Sequence, residues 1–283
     1  MNPPTDREQI ASYWSTAISN IAPGNIAFRG YAIQDLIGRV SFPAMIWMML
    51  RGDLPTPRQA ELLEAAMVAS VDHGPHAPSI AVARMAVSTG LPLNGAMASA
   101  INLLDDVHGG AGEQSVELFD DVIARHRDGL DIDTAAAAAI DAFVAEHGKY
   151  LPGFGHRFHP IDPRVAPLMA MVDRAMEDGI VAGDYAAASR AVVSVMERRR
   201  GGRHLPVNID GVTAVIYGEL GFAAPLARGI FCLSRAVGIL SHAWEQQSRS
   251  ERNKGPIPRT FDYDYTGQPA RPVPTSAVEP GKS

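Results

Sequence analysis

A single cysteine, Cys232, stands in 283 residues. That excludes an intramolecular disulfide and a thiolate metal cluster, and it suits a reducing, cytoplasmic setting. Positive charge is also short: 25 Lys and Arg against 31 Asp and Glu give a formal net charge of −6. Neutralising phosphates takes a surplus of cations, so no nucleic-acid partner is expected, while local cationic pockets for small anions stay open. The longest uninterrupted apolar run, residues 42–50, falls far below the roughly 18 residues a spanning helix needs. The first residues lack the basic-then-apolar order of a secretory leader, so no membrane partner is expected either. Strand signals are thin, because no two alternating β-branched runs flank an Asn-Gly or Asp-Gly turn.

What is present is helical periodicity, in a chain whose 46% hydrophobic content suffices for a sizeable core. Ser41 can cap a short buried helix that tolerates Pro43 in its first turn and stops at Gly52. Thr56-Pro57 opens the next, with Leu62, Leu63, Ala66 and Met67 at helical spacing and an end near Asp72-His73-Gly74. Further helical patterns cover about 79–89, 94–104, 113–127, 134–147, 165–177, 184–199 and 225–247. The expected fold class is all-α. The segment from about 268 is rich in proline and small polar residues and reads as an extended tail.

Several polar residues sit at breaks between helices rather than on helix faces. His73 lies in DHGPHAPS, His108 in DVHGGAGE, His156 in LPGFGHRFHPIDPR and Asp210 in LPVNIDG. Glycine beside a polar residue lets the backbone approach a ligand, and loops held by rigid helices commonly carry function. Two histidines and a carboxylate at such breaks can perform acid–base chemistry. Each also has a plainer reading. A lone histidine beside glycine ordinarily terminates a helix, and Asp210 could cap the helix that follows. Arg235, in FCLSRAVG on a mostly apolar helix, could be a surface residue, but on a buried helix it needs a carboxylate from protein or substrate, and Arg164 of DPR could equally pair with a protein acid.

Other motifs fail. Gly153-Phe154-Gly155 opens like a dinucleotide fingerprint, but Phe158 stands at the third glycine. No GxSxG exists, and Cys232 lies in an apolar helix as a core residue would. The pairs His73/His76 and His156/His159 are loosely spaced and share no acidic cluster, so no metal site is expected.

Taken in order, the breaks resemble the citrate synthase superfamily. The matching segments are FRGYAIQDLI, MLRGDLPTPRQ, DHGPHAPSIAVARMAVSTG, VHGGAGE, GFGHRFHPIDPR, NIDG and IFCLSRAVGILSHAWEQ, which together span residues 28–247. DHGPHAPS, DVHGGAGE and the late FDYDYTG are most like the short citryl-CoA lyase branch, which is related to the lyase part of ATP-citrate lyase. The resemblance implies an all-helical homodimer. It also implies a large domain, 1–111 with 216–283, and a small domain, 112–215, inserted so that the site lies in the cleft between them.

Residue by residue, the resemblance gives catalytic roles to His108, His156 and Asp210, and dicarboxylate-binding roles to His73, Arg164 and Arg235. His108 would donate to an enolate oxygen, Asp210 would exchange the methyl proton, and His156 would exchange the hydroxyl proton. The family's arginine-bearing RPR/RPK element appears as Ile257-Pro258-Arg259, with Ile257 at the first arginine or the register shifted to Arg259. Arg259 would reach the partner subunit's substrate. His76 stands where many synthases carry Asn.

The implied activity is cleavage of a 3-hydroxy-3-carboxyacyl-CoA, citryl-CoA or a close analogue, to acetyl-CoA and a 2-oxo acid such as oxaloacetate. The partners are a CoA thioester and a 2-oxo dicarboxylate, with no cofactor beyond the CoA of the substrate. The alternatives are a citrate or 2-methylcitrate synthase, and a catalytically silent CoA-ester-binding protein.

Overall fold

The chain enters through α1 (Asp6–Tyr13) and an antiparallel meander of β1 (Ser19–Ala22), β2 (Asn25–Phe28) and β3 (Tyr31–Ala32). The computed structural model describes residues 6–155, 161–258 and 260–272. The meander departs from the thin strand signal because its strands are too short for alternation to register, and its turns carry it instead. Pro23-Gly24 closes the first hairpin, with Ala22 opposite Asn25 and Gly24 at φ +74°. Arg29-Gly30 closes the second at φ +50° and +90°, the double left-handed geometry usually given to Asn-Gly. Arg29 tolerates that position because its Nε and Nη2 donate to the Met49 carbonyl at 3.1 and 2.8 Å.

From there the described chain is helical. After α2 (Ile33–Leu36), α3 (Phe42–Arg51) starts where the Ser41 hydroxyl accepts the Ala44 N–H and stops at Gly52, φ +95°. A reciprocal Thr56–Gln59 capping box opens α4 (Pro57–Ser70). Next come α5 (Pro78–Ser88), α6 (Leu93–Ile101), α7 (Ala111–Arg127) and α8 (Ile132–His147), the last capped by Asp131. The series closes with α9 (Val165–Glu177), α10 (Asp184–Arg199), α11 (Ile209–Glu219) and α12 (Ala224–Ser248). Apart from α2 and α11, which the periodicity did not mark, these follow the sequence pattern to within a few residues, with α6 ending at Ile101 ahead of it.

One capping alternative falls. The N-cap of α11 is Asn208, whose Oδ1 accepts from Asp210 N at 2.9 Å and Gly211 N at 3.3 Å. Asp210 is therefore inside the first turn, with its carboxyl free of capping duty.

Two apolar clusters form the core. The larger joins α3, α4 and α7–α11 to the start of α12, around Phe119, Val192, Ile216 and Tyr217. The smaller joins α5 and α6 to the rest of α12, through Ile80, Ala83, Ala96, Ala100, Phe231, Ile239 and Ala243. Alanines at these crossings let helix backbones approach closely, and each fully buried large aliphatic contributes about 1.5–3 kcal/mol. By length and hydropathy α12 could cross a membrane, but it buries Arg235 and Gln246 inside the protein, as a core helix does. Running through both clusters, it carries Arg235 to the place where the loops after α4 and α6 and the start of α11 converge.

Candidate active site

His108 sits in a tight loop between α6 and α7. Asp105 and His108 exchange both backbone hydrogen bonds at 3.0 Å, and Gly110 N also donates to the Asp105 carbonyl at 3.0 Å. Gly109, at φ +106°, lies so close to Leu104 and Phe231 that a Cβ would stand 3.2 Å from each. A side chain at Gly110 would come within 2.8 Å of Asp106 Cα. Gly109 therefore lets the loop press against α12, and Gly110 lets it close tightly on itself. From α12, Arg228 clamps it by ion pairs to Asp105, Asp106 and Glu113.

The imidazole meets the first turn of α5. Ser79 N donates to His108 Nε2 at 3.2 Å, and Ser79 Oγ lies 3.0 Å from the same nitrogen. Because a backbone N–H can only donate, Nε2 is the acceptor and the neutral ring carries its proton on Nδ1. Burial, reinforced by the charges of Arg235 and His73, holds the His108 pKa below the ordinary imidazole value. His108 is thus a neutral donor through Nδ1.

Arg235 is buried, with 4% of its surface exposed. Its Nε donates to the Ser70 carbonyl at 3.1 Å, and its guanidinium carbon lies 4.7 Å from the centre of the Phe231 ring. Among the described residues no carboxylate forms an ion pair with it. Burial lowers its pKa, while the charges of Asp210 and Asp72 raise it.

The start of α11 is fixed from two directions. Gly155 N donates to the Pro206 carbonyl at 2.7 Å, and Asn208 binds back to Gly153 O at 3.0 Å and Gly155 O at 2.8 Å. Gly211 packs directly on the Gly153 carbonyl, where a Cβ would collide. Asp162, itself buried, accepts Ile209 N at 3.2 Å and grips Arg164 through Nε at 2.9 Å and Nη2 at 2.8 Å. Arg164 Nη1 reaches the Ala69 carbonyl at 3.3 Å. Burial raises the Asp210 pKa and the charge of Asp162 adds to this, against the pull of Arg235 and Arg164.

Of the residues singled out in the sequence, His73, His108, Arg235, Asp210 and Arg164 are gathered at one place, each within electrostatic reach of another. Arg164 takes the plainer of its two readings as well, because a protein acid holds its fork. His156 and Arg259 lie outside the described residues. Sequence reasoning missed Ser79, Asp162 and Asn208. The i, i+2 spacing of Asp162 and Arg164 and the Asn-x-Asp order at 208–210 were available signals, whereas the backbone donor of Ser79 leaves none. Among the described residues no group of three or more His, Cys, Asp or Glu is placed to hold a metal ion.

The family model for the C-terminal domain of citrate synthase matches residues 11–61 and 55–259. The chain belongs to the citrate synthase family. The citrate synthase of Haloferax volcanii is 33% identical over 224 residues, covering 77% of this chain and 55% of that protein. Citrate synthase 2 of Bacillus subtilis is 30% identical over 220 residues, 77% of this chain and 54% of that protein. The chain thus spans about half the length of the curated citrate synthases it matches. Among solved structures, the citryl-CoA lyase from Hydrogenobacter thermophilus superposes with a TM-score of 0.81 at 30% identity, covering 93% of this chain and 98% of that one. The all-α citrate synthase fold is therefore the fold of this chain.

The His108 geometry makes a spectroscopic prediction. Imidazole nitrogen NMR at pH 7 should show the neutral Nδ1–H tautomer, and the ring should stay neutral when the pH is lowered through the ordinary 6.5. A His108 titrating at or above 6.5 would contradict the site as described.

Proposed function

We propose that this chain is a carbon–carbon lyase that cleaves citryl-CoA or a close analogue to acetyl-CoA and a 2-oxo acid such as oxaloacetate. One observation carries the reading: Arg235, a buried guanidinium whose direct partners among the described residues are a carbonyl and an aromatic face, lies beside an imidazole of lowered pKa and a carboxyl of raised pKa. A buried cation of that kind suits a carboxylate brought by a ligand. In the cleavage direction the substrate hydroxyl loses its proton and the C–C bond breaks as the ketone forms. Its electron pair passes to the thioester as an enolate. His108 Nδ1–H is the donor for the enolate oxygen. Asp210, whose protonated form burial favours, delivers the proton that makes the acetyl methyl group.

The family motif assigns hydroxyl-proton exchange to His156 and a partner-subunit carboxylate contact to Arg259. His73 and Arg164 complete the basic surroundings of the 2-oxo acid. These steps call for no cofactor beyond the CoA of the substrate, and the single cysteine supports a cytoplasmic setting. Similarity to the Hydrogenobacter citryl-CoA lyase over nearly all of that protein supports the lyase direction. The citrate synthases among the curated relatives favour a second reading, condensation followed by thioester hydrolysis. Residues 112–215 serve in either case as the small domain closing on the large one.

The chain works as a homodimer. Leu233, Val237, Leu240 and Trp244 are exposed by 48, 56, 39 and 62%, and they line one face of α12 opposite buried Arg235, Ile239 and Ala243. An apolar stripe of that length on the outer face of a helix supports a second copy as its cover.

Paired assays separate the two readings. Incubation with citryl-CoA should release oxaloacetate, whereas prompt free-thiol release from acetyl-CoA plus oxaloacetate at comparable rates would replace the lyase reading with the synthase. Asp210→Asn should lower turnover by about a hundredfold. It should also raise the melting temperature at neutral pH, because a carboxyl with a raised folded pKa loses stability as pH rises through that pKa. The gap should close as the pH falls toward the ordinary 3.8. Light scattering should give about twice the 30.2 kDa chain mass, and Trp244→Glu should shift it toward the monomer.

A further inference from the structure

Behind the site runs a row of polar side chains that the chemistry above does not use. His242 lies two turns beyond Arg235 on α12, with only 18% of its side chain exposed. Arg84 Nη1 is 3.1 Å from His242 Nδ1, and His242 Nε2 is 3.2 Å from Asp72 Oδ2. Arginine only donates, so Nδ1 accepts and the imidazole proton sits on Nε2, pointing at the carboxylate. Arg84 is anchored in turn by Gln246 Oε1 at 3.2 Å and Glu245 Oε2 at 3.0 Å. Asp72 Oδ2 also accepts Gly74 N at 3.1 Å, which folds the loop around His73. Burial pushes the Asp72 carboxyl up, but His242 and the N–H groups of Gly74 and His73 outweigh it and hold the pKa below the ordinary value.

The loop is also seated on α12 itself. Gly238 N donates to the Val71 carbonyl at 3.2 Å. A Cβ at Gly238 would collide with that oxygen and stand 3.0 Å from the Asp72 side chain. Among the described residues Asp72 Oδ1 is buried without a hydrogen-bond partner, and the charge of this carboxylate acts on Arg235.

We propose that His242 is a positioning residue for the 2-oxo-acid end of the site. Locked in one tautomer by Arg84, it holds the Asp72 carboxylate. Through Asp72 it sets both the loop that carries His73 and the electrostatic balance of Arg235. Neither His242 nor Arg84 touches substrate. The proposal rests on the functional reading above for its substrate, and on the hydrogen-bond geometry alone for the loop.

The test compares His242→Ala with His242→Gln in the full-length chain, because a Gln side-chain N–H can replace the Nε2–H bond to Asp72. In the condensation direction His242→Ala should raise KM for oxaloacetate by about tenfold, leave KM for acetyl-CoA within about twofold, and speed hydrogen exchange at the Gly74 amide. His242→Gln should restore all three. Arg84→Met serves if His242→Ala does not fold, and it should let both His242 tautomers appear by nitrogen NMR. Equal rises in both KM values accompanying a lower melting temperature, or an unchanged Gly74 amide in His242→Ala, would overturn the proposal. A wild-type chain inert toward citryl-CoA and oxaloacetate would sink the functional reading, while Gly74 exchange and the His242 tautomer would still decide the positioning of the loop.

Discussion

A guanidinium placed where water cannot reach it loses several kcal/mol of hydration, and the protein must return most of that through fixed partners. Among the described residues Arg235 receives one carbonyl, one ring face and the long-range pull of two carboxylates. Much of the surrounding structure is arranged around that residue. The last residue of α4, Ser70, turns its carbonyl to Nε. Asp72 and Asp210 stand near enough to balance the charge without pairing with it. Burial first, and then the charge of Arg235, hold the His108 pKa below the ordinary imidazole value beside it.

The elements that bring these groups together were legible to different degrees. Local signals reached the helices well: Ser41, the Thr56–Gln59 box and Gly52 act within a few residues, and their sequence signature is their mechanism. The meander escaped because its information lies in two turns, one of which uses an arginine held left-handed by a carbonyl twenty residues away. The start of α11 was half legible. Asp210 stood out, but its neighbour Asn208 is the cap, and the distinction depends on which side chain faces the first free N–H groups.

The same contrast runs through the site. His73, His108, Asp210, Arg164 and Arg235 carry chemistry in their side chains and could be named from type and setting. Their supports were harder to read: Asp162 and Asn208 left a local spacing as a signal, but the other contacts are long-range and often main-chain. Asp162 bridges Arg164 to the Ile209 amide, Gly153 and Gly211 touch backbone to backbone, and Gly238 admits the Val71 carbonyl. A glycine needed for close approach looks in sequence like a glycine needed for a turn, so only the packed structure tells the two apart.

One of these supports has an evolutionary corollary. The tautomer of His108 is set by the amide of Ser79, a group that nearly every amino acid carries. Drift at that position, short of proline, leaves the donor in place, so the orientation of this imidazole is buffered against point mutation. An alanine scan would remove the Ser79 hydroxyl contact but leave the amide donor untouched. Chemistry written into the main chain in this way can persist while the letters around it change, which is one physical route by which relatives sharing under a third of their residues can still share a site.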